Sequence, residues 1–226
     1  MQEEIDFPDN VLRMPLERGG ATFYDRVLEE LDKRTFIGGR RVARQQLTPL
    51  NDRAAGTVHV IKVSLYGAKP PVWRRLEVPS AMTLDRLHEV LQAAFEWEDC
   101  HLHQFETVCG EFGNPDRAAD WSELSDESAV AFGQVAGAER AKAVYLYDFG
   151  DDWRHDIVVE KILPAVPGVA YPRCTGGKGA GPEEDSGGIW VYNDERADGG
   201  RSRDRFDPGQ AAEALAGLAR VIVPAA

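Results

Sequence analysis

Tyr145-Leu-Tyr-Asp-Phe-Gly-Asp-Asp-Trp-Arg-His155 is where two strand patterns meet at a Gly-Asp turn. With Gly150 and Asp151 as the central turn residues, Phe149 faces Asp152, Asp148 faces Trp153 and Leu146 faces His155. Alternation then predicts that Val144, Leu146, Asp148, Trp153, His155, Ile157 and Val159 share one face, mostly apolar and so turned inward. Asp148 and His155 sit diagonally on that core side. A carboxylate so placed fixes an imidazole tautomer and raises its basicity, as a general base or a metal-ligating histidine requires. The pair equally fits a structural part, with Asp148 capping the turn and His155 an interior histidine whose polar atoms are satisfied.

Upstream of this hairpin, His59 to Tyr66 alternates with Ile61, Val63 and Leu65 on one face, and Val72 to Val78 supplies a second strand that should pair with it. Thr83 is placed as an N-cap, and Leu84, Leu87, Leu91, Ala94 and Phe95 follow at helical spacing. Period two resumes at His101-Leu-His-Gln-Phe105. Downstream, Pro164 to Gly188 is rich in Gly and Pro and reads as a long ordered loop laid over the sheet. Asp207-Pro208 with Gln210 opens a last helix, apolar at Ala211, Ala214, Leu215 and Leu218. Near the start, Thr22 to Arg34 reads as an amphipathic helix ended by Gly38-Gly39. The expected fold is α+β: a mostly antiparallel mixed sheet with one helix packed across it, a β-grasp-like start, and N- and C-terminal helices. The expected organisation is a helical extension with a basic arm over 1–55, an α+β domain over 56–195, and a linker and helix over 196–226.

A chain of 226 residues can build one substantial core without disulfide or metal. Cys100, Cys109 and Cys174 match no zinc spacing, no apolar run is long enough to cross a bilayer, and the first residues lack a secretory pattern. A cytoplasmic protein with no membrane partner is expected. The net charge of −12 argues against phosphate-backbone binding by the main body. Nucleic acid is expected only through the basic arm from Lys33 to Arg53, which carries Arg34, Arg40, Arg41 and Arg44 as well.

The candidate chemistry gathers around the hairpin. His101 and His103, two apart on a strand, could both reach one divalent metal, Zn or Mn, with Asp148 or His155 completing the set. Glu184 and Asp185 enter the same site if their loop folds back over the hairpin. Trp73-Arg74-Arg75 puts Trp73 and Arg75 on one face and Arg74 with Val72, Leu76 and Val78 on the other. One arginine thus reaches solvent while its neighbour lies along the sheet and pairs with an acid such as Asp148 or Asp152; the functional alternative is a carboxylate- or phosphate-binding arginine, Arg75. Cys174 is the one thiol worth testing as a nucleophile.

Four stretches also carry a family likeness: Pro70-Pro-Val-Trp-Arg-Arg75 with Val78-Pro79; Thr83-Leu84 through Leu87-His88 to Trp97; His101-Leu-His103 with Phe105; and Tyr147 to His155. Tyr171-Pro-Arg-Cys174 and Glu184-Asp185-Ser-Gly-Gly188 add to them. In these strings the chain resembles the plasmid pRiA4b ORF-3-like family, whose members are also described as passenger proteins of transposable elements. The resemblance implies an α+β fold and an association with plasmids and mobile elements, and brings no settled activity. Family members often carry cysteines where this chain has Gly181 and Ser186, so no cysteine-based zinc site is expected here.

Two functional readings follow. In the first the protein is a binding or accessory module whose acidic and aromatic cleft, built from Tyr147, Asp148, Asp152, Trp153 and His155 with Arg75 nearby, grips a peptide or protein partner. In the second it is an enzyme, in which Asp148, His155, Glu184 and Asp185 act as acid, base or hydrolytic groups, with His101 and His103 holding a divalent metal.

Overall fold

In the computed structural model we describe residues 34–51, 54, 56–117, 124–197 and 206–222. The helix expected over Thr22–Arg34 lies outside them, except that Arg34 opens a strand, and Lys33 and Arg53 of the basic arm lie outside them too. The described part of that arm is a β-hairpin, β1 (Arg34–Ile37) and β2 (Arg40–Ala43). Gly38 and Gly39 have φ of 58° and 74°, the left-handed pair that a two-residue hairpin turn demands, so they turn a ribbon and do not end a helix.

An eight-stranded sheet forms the body, in the order β11-β4-β3-β9-β8-β5-β6-β7. Its strands are β3 (Thr57–Leu65), β4 (Trp73–Pro79), β5 (His103–Thr107), β6 (Gly110–Gly113), β7 (Ser125–Asp126), β8 (Lys142–Tyr147), β9 (Trp153–Pro164) and β11 (Arg173–Lys178). All neighbours are antiparallel except β6 and β7. β3 and β4 pair as expected, and helix α1 (Leu84–Phe95) follows them and lies against the sheet. The β-grasp likeness stops at this start: after the helix, β5 joins β8 and β6, and β9 takes the place beside β3. Thr83 precedes α1 without a side-chain cap bond, and Glu96, at φ 66°, ends it.

The core lies between the sheet and α1. Leu84, Leu87, Leu91 and Phe95 meet Ile61, Val63, Leu76, Tyr145, Trp153 and Ile157, and every one of these is at most 1% exposed. Burying a large apolar side chain contributes on the order of 1.5–3 kcal/mol, so this layer dominates the favourable side of folding.

The β8–β9 register differs from the sequence expectation by one residue. Tyr145 faces His155, Leu146 faces Arg154 and Tyr147 faces Trp153, so residues 148–152 form a five-residue loop. Asp148 and Asp152 both adopt left-handed backbone, with φ of 56° and 53°. The Asp152 amide donates to the Asp148 carbonyl at 2.7 Å, and Asp148 Oδ1 accepts from the amides of Gly150 at 3.0 Å and Asp151 at 3.4 Å. A carboxylate that caps its own turn makes such a loop favourable. The inner face is therefore Ala143, Tyr145, Tyr147, Trp153, His155, Ile157 and Val159, while Val144 and Leu146 turn to the other side.

The Gly- and Pro-rich stretch is only partly loop. Arg173–Lys178 runs as β11 on the edge of the sheet against β4, and β10 (Ala170–Tyr171) pairs with β12 (Arg220–Val221). Beyond α2 (Phe132–Val135) and α3 (Gly188–Ala197), the last helix, α4 (Pro208–Ala216), docks through buried Ala211 and Leu215. Asp207 caps α4 through the amides of Gly209 and Gln210, but the Gln210 side chain reaches Glu96 Oε2 at 3.1 Å and does not close a capping box.

Candidate functional site

The site is assembled by two segments that meet over the mouth of the β8–β9 hairpin: residues 97–102, after α1, and residues 179–187, after β11. Arg74 anchors both. On β4 it points inward, 1% exposed, and donates through Nε to the Ala94 carbonyl at 2.8 Å and through Nη1 to the Gly179 carbonyl at 2.8 Å. Its guanidinium lies 5.0 Å from the Phe95 ring and 4.7 Å from the Phe206 ring. A cation at the carbonyl end of α1 is favoured by the helix dipole, which offsets part of the cost of burying it. Trp97 Nε1 then donates to the Pro182 carbonyl at 2.9 Å. Gly181 passes so close to the Phe95 carbonyl oxygen that a Cβ would collide with backbone there, so this docking requires glycine.

The returning loop brings its two acids to the hairpin. Glu184 Oε1 accepts from the Glu98 amide and from the Tyr147 hydroxyl, both at 2.9 Å, and Tyr147 in turn accepts from the Cys100 amide at 3.0 Å. Burial and then Glu184 push the Tyr147 phenol well above its ordinary range, so it remains a donor. Beside it His101 Nε2 stands 3.1 Å from Asp185 Oδ1, 3.7 Å from Asp148 Oδ2 and 3.7 Å from Glu184 Oε2. Shielded from solvent, that nitrogen makes no hydrogen bond. Coordinating atoms of His101, Asp148 and Asp185 all lie within 4.8 Å of one another, so this trio could hold a metal ion. The cluster is sheltered on the Asp148 side, 10% exposed, and open on the Asp185 side, 77% exposed.

His103 belongs to a different group. Its Nε2 donates to Glu127 Oε2 at 2.8 Å, and its ring stacks on His88 of α1 at 3.5 Å. Tyr145 takes a hydrogen bond from Gln92 Nε2 at 2.9 Å and bonds His88 Nδ1 at 2.7 Å, which leaves His88 Nε2 3.1 Å from Asp99 Oδ1 but too bent for a hydrogen bond. Burial, then the neighbouring His103, lowers the His88 pKa to about 4. His88, Asp99 and His103 also lie close enough to hold an ion, although parallel rings aim their lone pairs side by side and not at one point.

Of the residues singled out in the sequence, Asp148, Glu184, Asp185, His101 and Tyr147 come together. His101 lies before β5, not within it, so it and His103 fall in separate clusters. His155 has no exposure and contacts no carboxylate among the described residues: Nδ1 donates to the Trp153 carbonyl at 3.1 Å, and Phe95 and Trp97 enclose the ring. Burial lowers its pKa to about 3. Trp153 has no exposure either, so the aromatic wall of the expected cleft is core. Asp152 is exposed on the turn. Arg75 faces away and forms a bidentate pair with Glu160 at 2.6 and 3.0 Å, the structural alternative with a different acid. Burial raises the Cys174 pKa, which disfavours the thiolate that a nucleophile needs. The sequence gives no role to His88, Gln92, Asp99 or Glu127 in the site, and it leaves open what Arg74 holds. A histidine within the apolar stripe Leu84, Leu87, Leu91, Phe95 was the available signal for His88.

Together these features define an α+β protein with a helix-backed antiparallel sheet and a histidine–carboxylate cluster at one sheet end. Residues 57–201 match the sequence model of the plasmid pRiA4b ORF-3-like protein family, and the chain belongs to that family. The uncharacterized protein y4hQ of Sinorhizobium fredii is 43% identical over 141 residues, 59% of this chain and 69% of that protein. The crystal structure of the protein of unknown function MM3350 from Methanosarcina mazei Go1 superposes with a TM-score of 0.57 at 33% identity, covering 68% of this chain and 96% of that one. No helix among the described residues is long and apolar enough to cross a membrane.

Proposed function

We propose that this protein binds a divalent cation through His101, Asp148 and Asp185, with Glu184 adding negative charge alongside, and uses it for metal-assisted hydrolysis, with the exposed Asp185 side open to a substrate. The observation that carries this reading is the environment of His101 Nε2: shielded, without a hydrogen bond, and surrounded by carboxylate oxygens at 3.1, 3.7 and 3.7 Å. Atoms that share one ion at about 2.0–2.2 Å stand roughly 3–3.5 Å apart, close to this spacing. Among the described residues no lysine or arginine pairs with Asp148, Glu184 or Asp185, so the concentrated negative charge lacks a protein counter-ion. One imidazole with several carboxylates suits Mn²⁺ or Zn²⁺. Such an ion with an open position polarises a carbonyl or phosphoryl oxygen, or acidifies a bound water. The peptide-gripping reading is weaker, because Trp153 and His155 are fully enclosed.

Calorimetric titration of chelator-treated protein with Mn²⁺ and Zn²⁺ tests the binding. The expected result is one ion per chain, with affinity reduced about tenfold or more by Asp148→Asn, Asp185→Asn or His101→Ala. Wild-type protein that takes up no ion, or variants that bind as wild type does, would refute it.

A further inference from the structure

The β1–β2 hairpin arches over the face of the sheet opposite α1, and between them lies a cavity of about 700 Å³. In a chain with 38 acids and 26 bases, its lining reverses the balance: Arg40, Arg140, Lys142 and Arg154 against Asp156 alone. Asp156 is already engaged by Arg154 at 2.8 Å. Arg154 also reaches the Gly38 carbonyl at 3.4 Å and lies 4.3 Å from the Tyr66 ring, so it is held in place by hairpin, sheet and aromatic face together. Glu106, on β5 beneath the hairpin, accepts from the Gly38 amide at 2.6 Å. Arg40, Arg140 and Lys142 form no ion pair among the described residues. Three like charges gathered around one concavity repel unless an anion is shared between them. Arginine and lysine donors are the groups that hold phosphate oxygens.

The walls are otherwise apolar, with Val42 and Val144 among them, and Tyr66 is 55% exposed at the rim. That mixture suits an anion with an organic part. The volume falls in the range of small-ligand pockets, about 300–1,000 Å³. A nucleic-acid duplex would meet a body of net charge −12 around a small basic spot, so a small ligand is favoured over a polymer.

We propose that this cavity binds a small phosphate monoester of mononucleotide size, its phosphate between Arg40, Arg140 and Lys142 and its organic part along Tyr66 and the valines. The test titrates the full chain with AMP, adenosine, inorganic phosphate and a short DNA duplex. Expected are saturable AMP binding, weaker inorganic phosphate that competes with it, no adenosine binding, and a loss of about tenfold or more in AMP affinity for Arg140→Ala/Lys142→Ala. Unchanged far-UV circular dichroism and unchanged Mn²⁺ uptake in that variant keep the loss from being read as misfolding. The proposal is overturned if AMP fails to bind, if the double variant binds AMP as wild type does, or if adenosine matches AMP. It is equally overturned if inorganic phosphate binds as tightly as AMP, which would assign free phosphate as the ligand. Duplex that outcompetes AMP at these residues would make the surface a nucleic-acid contact instead.

Discussion

Asp148 serves two neighbours at once: Oδ1 caps the turn through Gly150 and Asp151, while Oδ2 faces His101. Asparagine retains an acceptor for the turn and removes the charge, so Asp148→Asn separates the two parts. Relief of repulsion should leave the metal-free variant at least as stable as wild type, whereas the stabilisation by added cation, about 2.7 kcal/mol at a hundred times the dissociation constant, should vanish. Thermal melts with and without Mn²⁺ check this. A second prediction concerns the buried histidines. Burial lowers His59, and brings His88 to about 4 and His155 to about 3, with His103 adding to the shift at His88. The unfolded chain, with histidine near 6.5, takes up protons that the folded chain refuses. Their contribution is thus complete above about pH 6.5 and lost as pH falls toward 4 and 3, with a slope of up to about 1.4 kcal/mol per pH unit for each histidine. Urea midpoints at pH 7.5 and pH 5 should show the fall, and His155→Phe should lessen it; a variant that falls as steeply as wild type would contradict the assignment. The hairpin register was ambiguous at this scale. Val144 and Leu146 alternate as well as Tyr145 and Tyr147 do, and the tyrosines take the inside because each hydroxyl finds partners there, His88 and Gln92 or Cys100 and Glu184.

Among elements, the β3–β4–α1 order and the bounds of α1 were legible because each has a clear period, and the C-terminal helix because Asp207-Pro208 signals its start. β11 was not, since Cys174-Thr-Gly-Gly177 lacks the apolar alternation of a central strand and serves only as an edge. The β1–β2 ribbon was missed because Gly-Gly ends helices as well as turning hairpins. The return of Glu184 and Asp185 to the hairpin could be posed from sequence only as a condition, because it depends on Arg74, Trp97 and Gly181 meeting carbonyls or backbone distant in the chain. That dependence is testable by contrast between neighbours. Arg74→Met orphans the Ala94 and Gly179 carbonyls and should cost about 2–4 kcal/mol in urea unfolding while weakening cation binding. Arg75→Met removes a half-exposed pair and should cost at most about 1 kcal/mol, with binding intact.

For the whole molecule, the histidine–carboxylate cluster and the basic cavity use separate elements, the loops at one end of the sheet and the hairpin over its outer face. Changes that share no partners add independently. Arg140→Ala/Lys142→Ala should therefore leave Mn²⁺ affinity within about twofold of wild type, and Asp148→Asn should leave AMP binding equally untouched; calorimetry on both variants checks it. The net charge, read from sequence as repelling phosphate backbones, describes the average surface and hid a basic concavity that only folding creates from Arg40, Arg140 and Lys142. The central claim is the cation at His101, and anomalous diffraction from crystals grown with Mn²⁺ addresses it most directly. One peak bonded to His101 Nε2 and to oxygens of Asp148 and Asp185 is the predicted result; no peak there, or an ion held instead by His88, Asp99 and His103, would contradict it.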